Sequence, residues 1–256
     1  MNTCGAGGSA ASAIAAAGHT AVPVAMLDSA TLSTLDGLVL SVCQFAGSTA
    51  LDSAVQNGLR VMINTPSLYS GGVLPGDPPL SLLTTCNQNL SIAPGSPIAT
   101  GPGGTLTDTS LDGNFLCSSV GSAAISSLPA SSQALVLDAQ MPERAVAFAY
   151  PFGAGMVAVS MSQWMHVLPG GQYPGQPFDA GAFTYYANTV AWMMPGDAEP
   201  ETTCASEGYT GTKLLWCQNI CEKDYTGTQL KIWLRRWTDR YPTLPYCAAE
   251  PQPTLQ

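Results

Sequence analysis

The chain has 256 residues, enough for one large domain and a small one, and 46% of them are hydrophobic, as in a protein with a buried core. Only 10% are charged, with a net charge of −9, against about 25% charged residues in ordinary soluble domains. A charge-poor, acidic surface repels phosphate backbones and argues against nucleic acid as a partner, and no stretch approaches the roughly 20 apolar residues of a membrane span.

Gly7, Gly8 and Ser9 lead into a small-residue helix over 10–17 that Gly18 ends. Residues 22–26 are expected as a strand and 32–35 as a short helical or turn segment. Residues 38–43 (LVLSVC) form a continuous apolar run, the pattern of a buried parallel strand. Ser48 is placed to cap a helix running to Asn57, with Gly58 as its stop, and 60–64 (RVMIN) is the next strand. Alternating helices and strands imply a mostly parallel sheet with right-handed crossovers. Such a sheet opens with a strand before its first helix, and residues 1–4 are too short for one, so native residues are expected before Met1. No export leader is visible, since the start lacks a basic segment and a long apolar run.

Residues 65–128 are rich in Gly, Pro, Ser and Asn and are expected to be a long irregular loop or insertion, restrained by a Cys86–Cys117 bridge. Strands return over 134–138, 144–150 and 156–161, the last two joined in a hairpin through the glycines of 151–155. Residues 178–194 read as a helix with Phe183, Tyr186, Ala187, Val190 and Met194 along one face.

Composition then shifts. Before Pro200 two bases, Arg60 and Arg144, stand against eleven acids; after it six bases meet six acids. The expected division is a body over 1–195, a linker over 196–203 and a tail over 204–256. The tail repeats itself, with Tyr209-Thr-Gly-Thr-Lys-Leu214 returning as Tyr225-Thr-Gly-Thr-Gln-Leu230, each copy opening a helix with Thr212 or Thr228 as its cap. Leu230, Trp233, Leu234, Trp237 and Tyr241 fall at helical spacing, and Leu214, Cys217 and Cys221 share a face. The two tryptophans form either the tail's core or, with Arg235 and Arg236, an aromatic-basic surface. A pair of helices this small needs covalent staples, and Cys204, Cys217, Cys221 and Cys247 are the candidates. Eight cysteines, few lysines and a Ser/Thr/Gly-rich body favour disulfides over metal ligation, and so an extracellular or cell-surface location.

Few residues offer chemistry. Gly5-Ala-Gly7-Gly-Ser-Ala10, with Asp28 downstream, matches a dinucleotide fingerprint but lacks the strand that must precede it, so no cofactor is expected. Cys43 ends a strand at the edge where α/β sites form, and His166 is its candidate base. Ser67 follows another strand, outside any G-x-S-x-G elbow. With only His19 and His166 in the chain, no histidine metal site is expected. Trp164, His166, Tyr173 and Tyr69 are candidates for stacking on a sugar ring.

The stretch Tyr150-Pro-Phe-Gly-Ala-Gly-Met-Val-Ala-Val-Ser-Met161, with Asn188 and Trp192 on the following helix and the strand–helix–strand unit over 35–64, resembles class I glutamine-amidotransferase-like domains of the ThuA type. The resemblance spans roughly 5–194. It implies a flavodoxin-like three-layer sandwich but carries over no catalysis. Thr65-Pro-Ser-Leu-Tyr69 replaces the cysteine elbow, and Val167 and Leu168 follow His166 where the family has His-x-Glu. The expected function is a non-catalytic binding scaffold for a carbohydrate or cell-surface partner, its tail an attachment or interaction module. The alternative is a hydrolase or transferase on a carbohydrate or acyl substrate, using Cys43 or Ser67 with His166.

Overall fold

The computed structural model describes residues 10–41, 48–65, 74–85, 89–113, 120–162, 164, 168, 178–194, 204, 207–223 and 225–248. The chain divides into two compact units, Met1–Gly196 and Asp197–Gln256.

The first unit is mixed α/β, built on an eight-stranded sheet. Helix α1 (Ala11–Ala16) and the one-turn α2 (Ser29–Leu32) precede strand β1 (Gly37–Ser41), α3 (Thr49–Gln56) and β2 (Arg60–Asn64). Ser48 caps α3 by accepting from Leu51 N–H at 3.3 Å. β1 and β2 pair in parallel, and so do β2 and β10 (Gly155–Ser160). The expected parallel arrangement is confined to these three strands. β10 folds back on β9 (Arg144–Phe152) as a hairpin, and every other pairing in the sheet is antiparallel. The hairpin's turn rests on the end of α3, where Ala154 N–H donates to Gln56 O at 2.9 Å. Gly153 adopts φ +63 there, and side chains at 153 or 155 would strike the α3 backbone.

Alternation along the strands sorts side chains onto two apolar faces. Met62, Ala158 and Ala149 pack with Ala13 of α1 and with Tyr185, Tyr186 and Val190 of α4 (Ala180–Met193). Val61, Ile63, Val157 and Phe148 pack with Leu32 and with Leu51 and Val55 of α3. Helices therefore cover both faces.

Two expectations fail in this unit. Residues 22–26 form no strand, because Pro23 lacks the N–H a ladder needs. Residues 65–128 are not a structureless loop. Their described part holds β3 (Leu82–Thr85), β4 (Leu90–Ile92), the two-residue pair β5 (Thr100–Gly101) and β6 (Gly104–Thr105), and β7 (Val120–Ala124). β3 pairs β7, while β4 pairs β8 (Gln133–Asp138). The outer edge of β4 is closed by carboxylates, with Leu90 N–H donating to Asp112 and Ile92 N–H to Asp108. Asn188 of α4 clamps the β5–β6 hairpin. Its amide donates to Ile98 O and Gly104 O, and its oxygen accepts from Gly103 N–H, all at 2.9 Å.

The only bases before Pro200 are both spent on carbonyls. Arg60 donates to Met193 O at 2.6 Å, where His19 Nε2 also meets Met194 O, so two ring or guanidinium nitrogens satisfy the end of α4. Arg144 bonds Ser122 and Ser81.

The second unit contains α5 (Gly211–Cys221) and α6 (Gly227–Thr238). The cap positions fall on Thr210 and Thr226, two residues earlier than expected, because Gly211 and Gly227 enter the helices at φ +56 and +58. Cys204 is bonded to Cys217 and Cys221 to Cys247, each with Cα atoms 5.6 Å apart. Trp237 is fully buried and donates its indole N–H to Thr243 O at 2.6 Å. It is core, as one of the two sequence readings had it. Trp233 is half-buried, with the Arg236 guanidinium 4.7 Å above its ring.

Candidate ligand site

Three parallel strands, β1, β2 and β10, end together, and their register places Ser41, Asn64 and Ser160 in one row at the carboxyl edge. In parallel α/β sheets this edge is where ligands bind. Parity along β2 and β10 turns Asn64 and Ser160 toward the α1/α4 face, because Val61, Ile63, Val157 and Val159 occupy the other. Both are buried.

Trp164, Tyr185 and Tyr186 lie in the core of the same face. Trp164 meets Tyr185 edge-on, with ring centroids 4.5 Å apart, and Tyr185 meets Tyr186 at 5.4 Å. All three rings are fully buried. Among the described residues, five polar atoms in this group have no hydrogen-bond partner: Asn64 Oδ1, Ser160 Oγ, Trp164 Nε1 and the hydroxyls of Tyr185 and Tyr186. Leaving such a group dry and unpaired costs about 1–3 kcal/mol, so five on one face of one edge stand out.

Burial pushes both tyrosine hydroxyls above their ordinary range; for Tyr185 the neighbouring Ser160 and Thr189 hydroxyls counter only part of that rise. Ser160 lies beside the Tyr185 hydroxyl without reaching bonding geometry. Both phenols are protonated near neutral pH. The described groups are thus an amide, hydroxyls and an indole, which donate and accept hydrogen bonds without carrying charge.

Of the residues singled out from sequence, Cys43, Ser67, Tyr69, His166 and Tyr173 lie outside the described residues, as do Cys86 and Cys117. Trp164 is described, and its expected role of stacking on a sugar ring from solvent is corrected. It packs against Tyr185 in the core, so its face is not open to a sugar from solvent. Asn64, Ser160, Tyr185 and Tyr186 were missed. The available signal was parity: RVMIN and MVAVS each end on a polar residue in phase with a buried face.

Elsewhere, a concavity of about 950 Å³ lies between β1 and residues 18–27. Its walls include Ile14, Val24, Val39 and Met194, with His19 and Asp36 as polar members.

No family model matches the sequence, and no curated protein does. Among solved structures, the chain is similar to one titled Cytoplasmic Protein STM3548 from Salmonella typhimurium, at 15% identity and a TM-score of 0.42, covering 71% of this chain and 78% of that one. No described helix is long and apolar enough to cross a membrane.

Proposed function

We propose that the first unit is a non-catalytic binding scaffold that holds a neutral, hydroxyl-rich ligand of carbohydrate type at the carboxyl edge of β2 and β10. Carrying this reading are five buried polar atoms on one face of that edge that have no partner among the described residues. Uncharged donors and acceptors suit the hydroxyl rim of a sugar. A flavodoxin-like arrangement related to the ThuA-type amidotransferase-like domains belongs to the same proposal, as does an exported setting. The disulfide-bonded tail supports the latter, and it would serve as the interaction module.

A buried hydroxyl without a partner lowers stability, and a bound ligand reverses the sign. Tyr186→Phe is therefore expected to leave the free protein equally or more stable, by about 0–2 kcal/mol, while weakening binding at least tenfold. Glycan-array screening followed by calorimetry on wild type, Tyr186→Phe and Ser160→Ala tests this. Full affinity in both variants would remove the site.

A further inference from the structure

The tail's four described sulfurs belong to two cross-links but form one cluster. Sγ atoms of Cys204, Cys217 and Cys221 all lie within 4.8 Å of one another. The fourth sulfur, of Cys247, is bonded to Cys221 and so sits at the margin of the group. The scaffold explains the convergence. Cys217 and Cys221 are four apart on α5 and project from one face. Cys204 is fixed against the end of α5 by its N–H, which donates to the Glu222 carboxylate at 2.8 Å. Cys247 comes from the last described turn, Tyr246–Ala248.

Tetrahedral zinc with thiolate ligands has Zn–S distances of about 2.3 Å, which puts ligand sulfurs about 3.8 Å apart. The bonded Cys204 and Cys217 sulfurs, 2.00 Å apart, would part by about 1.8 Å on reduction to reach that spacing, Cys221 already lies within 4.8 Å of both, and the Cys-x₃-Cys interval on α5 lies inside the range such sites use. Cys204 and Cys217 are fully buried, which shields one side of the site from water, while Cys221 is half-buried.

We propose that, once its two disulfides are reduced, the tail binds one Zn²⁺ through Cys204, Cys217, Cys221 and Cys247. Two molecules of a dithiol reductant pass four electrons and four protons to the two S–S bonds, yielding four thiols and two oxidised reductants. One Zn²⁺ then displaces the four thiol protons and forms four Zn–S bonds. The tail would thus carry a disulfide staple in an oxidising compartment and a metal staple in a reducing one. The inference is independent of the ligand reading for the first unit.

The test uses the full chain, reduced with a phosphine so that no dithiol competes for metal. Co²⁺ titration is expected to show one more equivalent bound by wild type than by the Cys217→Ser/Cys221→Ser variant, with the visible bands of tetrahedral thiolate cobalt. Taking the difference removes any contribution from the other four cysteines. Equal uptake and equal spectra in the two proteins would overturn the site. The second readout is amide exchange over 211–221 and 227–238 of the reduced wild type, where Zn²⁺ is expected to restore at least tenfold protection. Exchange unchanged by zinc would overturn it as well, since capture by an unfolded tail would do no more than that.

Discussion

The two units hold their shape by different means. In the first, the sheet buries Phe148, Ile63 and Val157 on one side and Met62, Tyr185 and Tyr186 on the other, so each helix packs on a wide apolar surface. In the tail, the described core comes down to Trp237, Ile220 and the bonded pair Cys204–Cys217, ringed by half-buried aromatics. Apolar area buried grows with chain size, and a unit of the tail's length falls short. Its cross-links supply what area cannot. The contrast teaches that a damaging substitution should act through packing in one unit and through chain connectivity in the other.

The sharpest way to break this contrast is Phe148→Ala, which leaves a cavity at the sheet's centre. It is expected to cost about 3–5 kcal/mol, read by denaturant unfolding, with amide protection lost in the first unit and kept in α5 and α6. Simultaneous loss in both would mean that the units stand or fall together. Next comes Cys221→Ser/Cys247→Ser, which opens a loop with a sequence separation of 26. It should destabilise the tail by about 3–4 kcal/mol and leave the first unit's near-ultraviolet dichroism unchanged. Alkaline pH separates the units again. Burial raises the hydroxyls of Tyr150, Tyr185 and Tyr186, so the folded state keeps protons that the unfolded chain releases above about pH 10. Their stabilising effect is complete below that pH and falls as pH rises, by about 1.4 kcal/mol per pH unit for each tyrosine. Phenolate absorbance rising together with loss of the first unit's dichroism would bear this out; ionisation without unfolding would contradict it. The smallest effect is expected from Ser48→Ala, which removes the α3 cap for about 1 kcal/mol. A midpoint shift in urea confined to the first unit is the measurement.

What could be read from the sequence was whatever had local periodicity. The α3 cap, the β2 run and the β9–β10 hairpin are each encoded within a dozen residues by parity, a cap residue or turn glycines. The strands inside 65–128 have no such mark. β5 and β6 are two residues long, and β3 and β4 gain their identity from β7 and β8, about 40 residues away. Residues 22–26 misled in the opposite direction, since apolar content suggested a strand that Pro23 blocks. In the tail, the repeat fixed the helices, but the left-handed glycines at 211 and 227 moved both caps. At the site, Trp164 was picked out as an aromatic near a loop. What decides its role is the α4 ring it packs against, and no local pattern encodes that contact. The Asn64–Ser160 row is set by strand pairing across 96 positions, visible only once β2 and β10 lie side by side.

Asn188 gives the β5–β6 hairpin a further meaning. The hairpin lies flush against α4 because positions 101 and 103 carry no side chain. A Cβ at 101 would come within 2.7 Å of the Asn188 oxygen, and one at 103 within 2.9 Å of Ala187 and Thr184. Alanine at either position would pry the hairpin loose and strand the Asn188 amide. Kin of this chain should therefore inherit these three positions as a block or lose them as a block, and an orphaned member of the trio would mark a protein whose insertion has swung away from the helix.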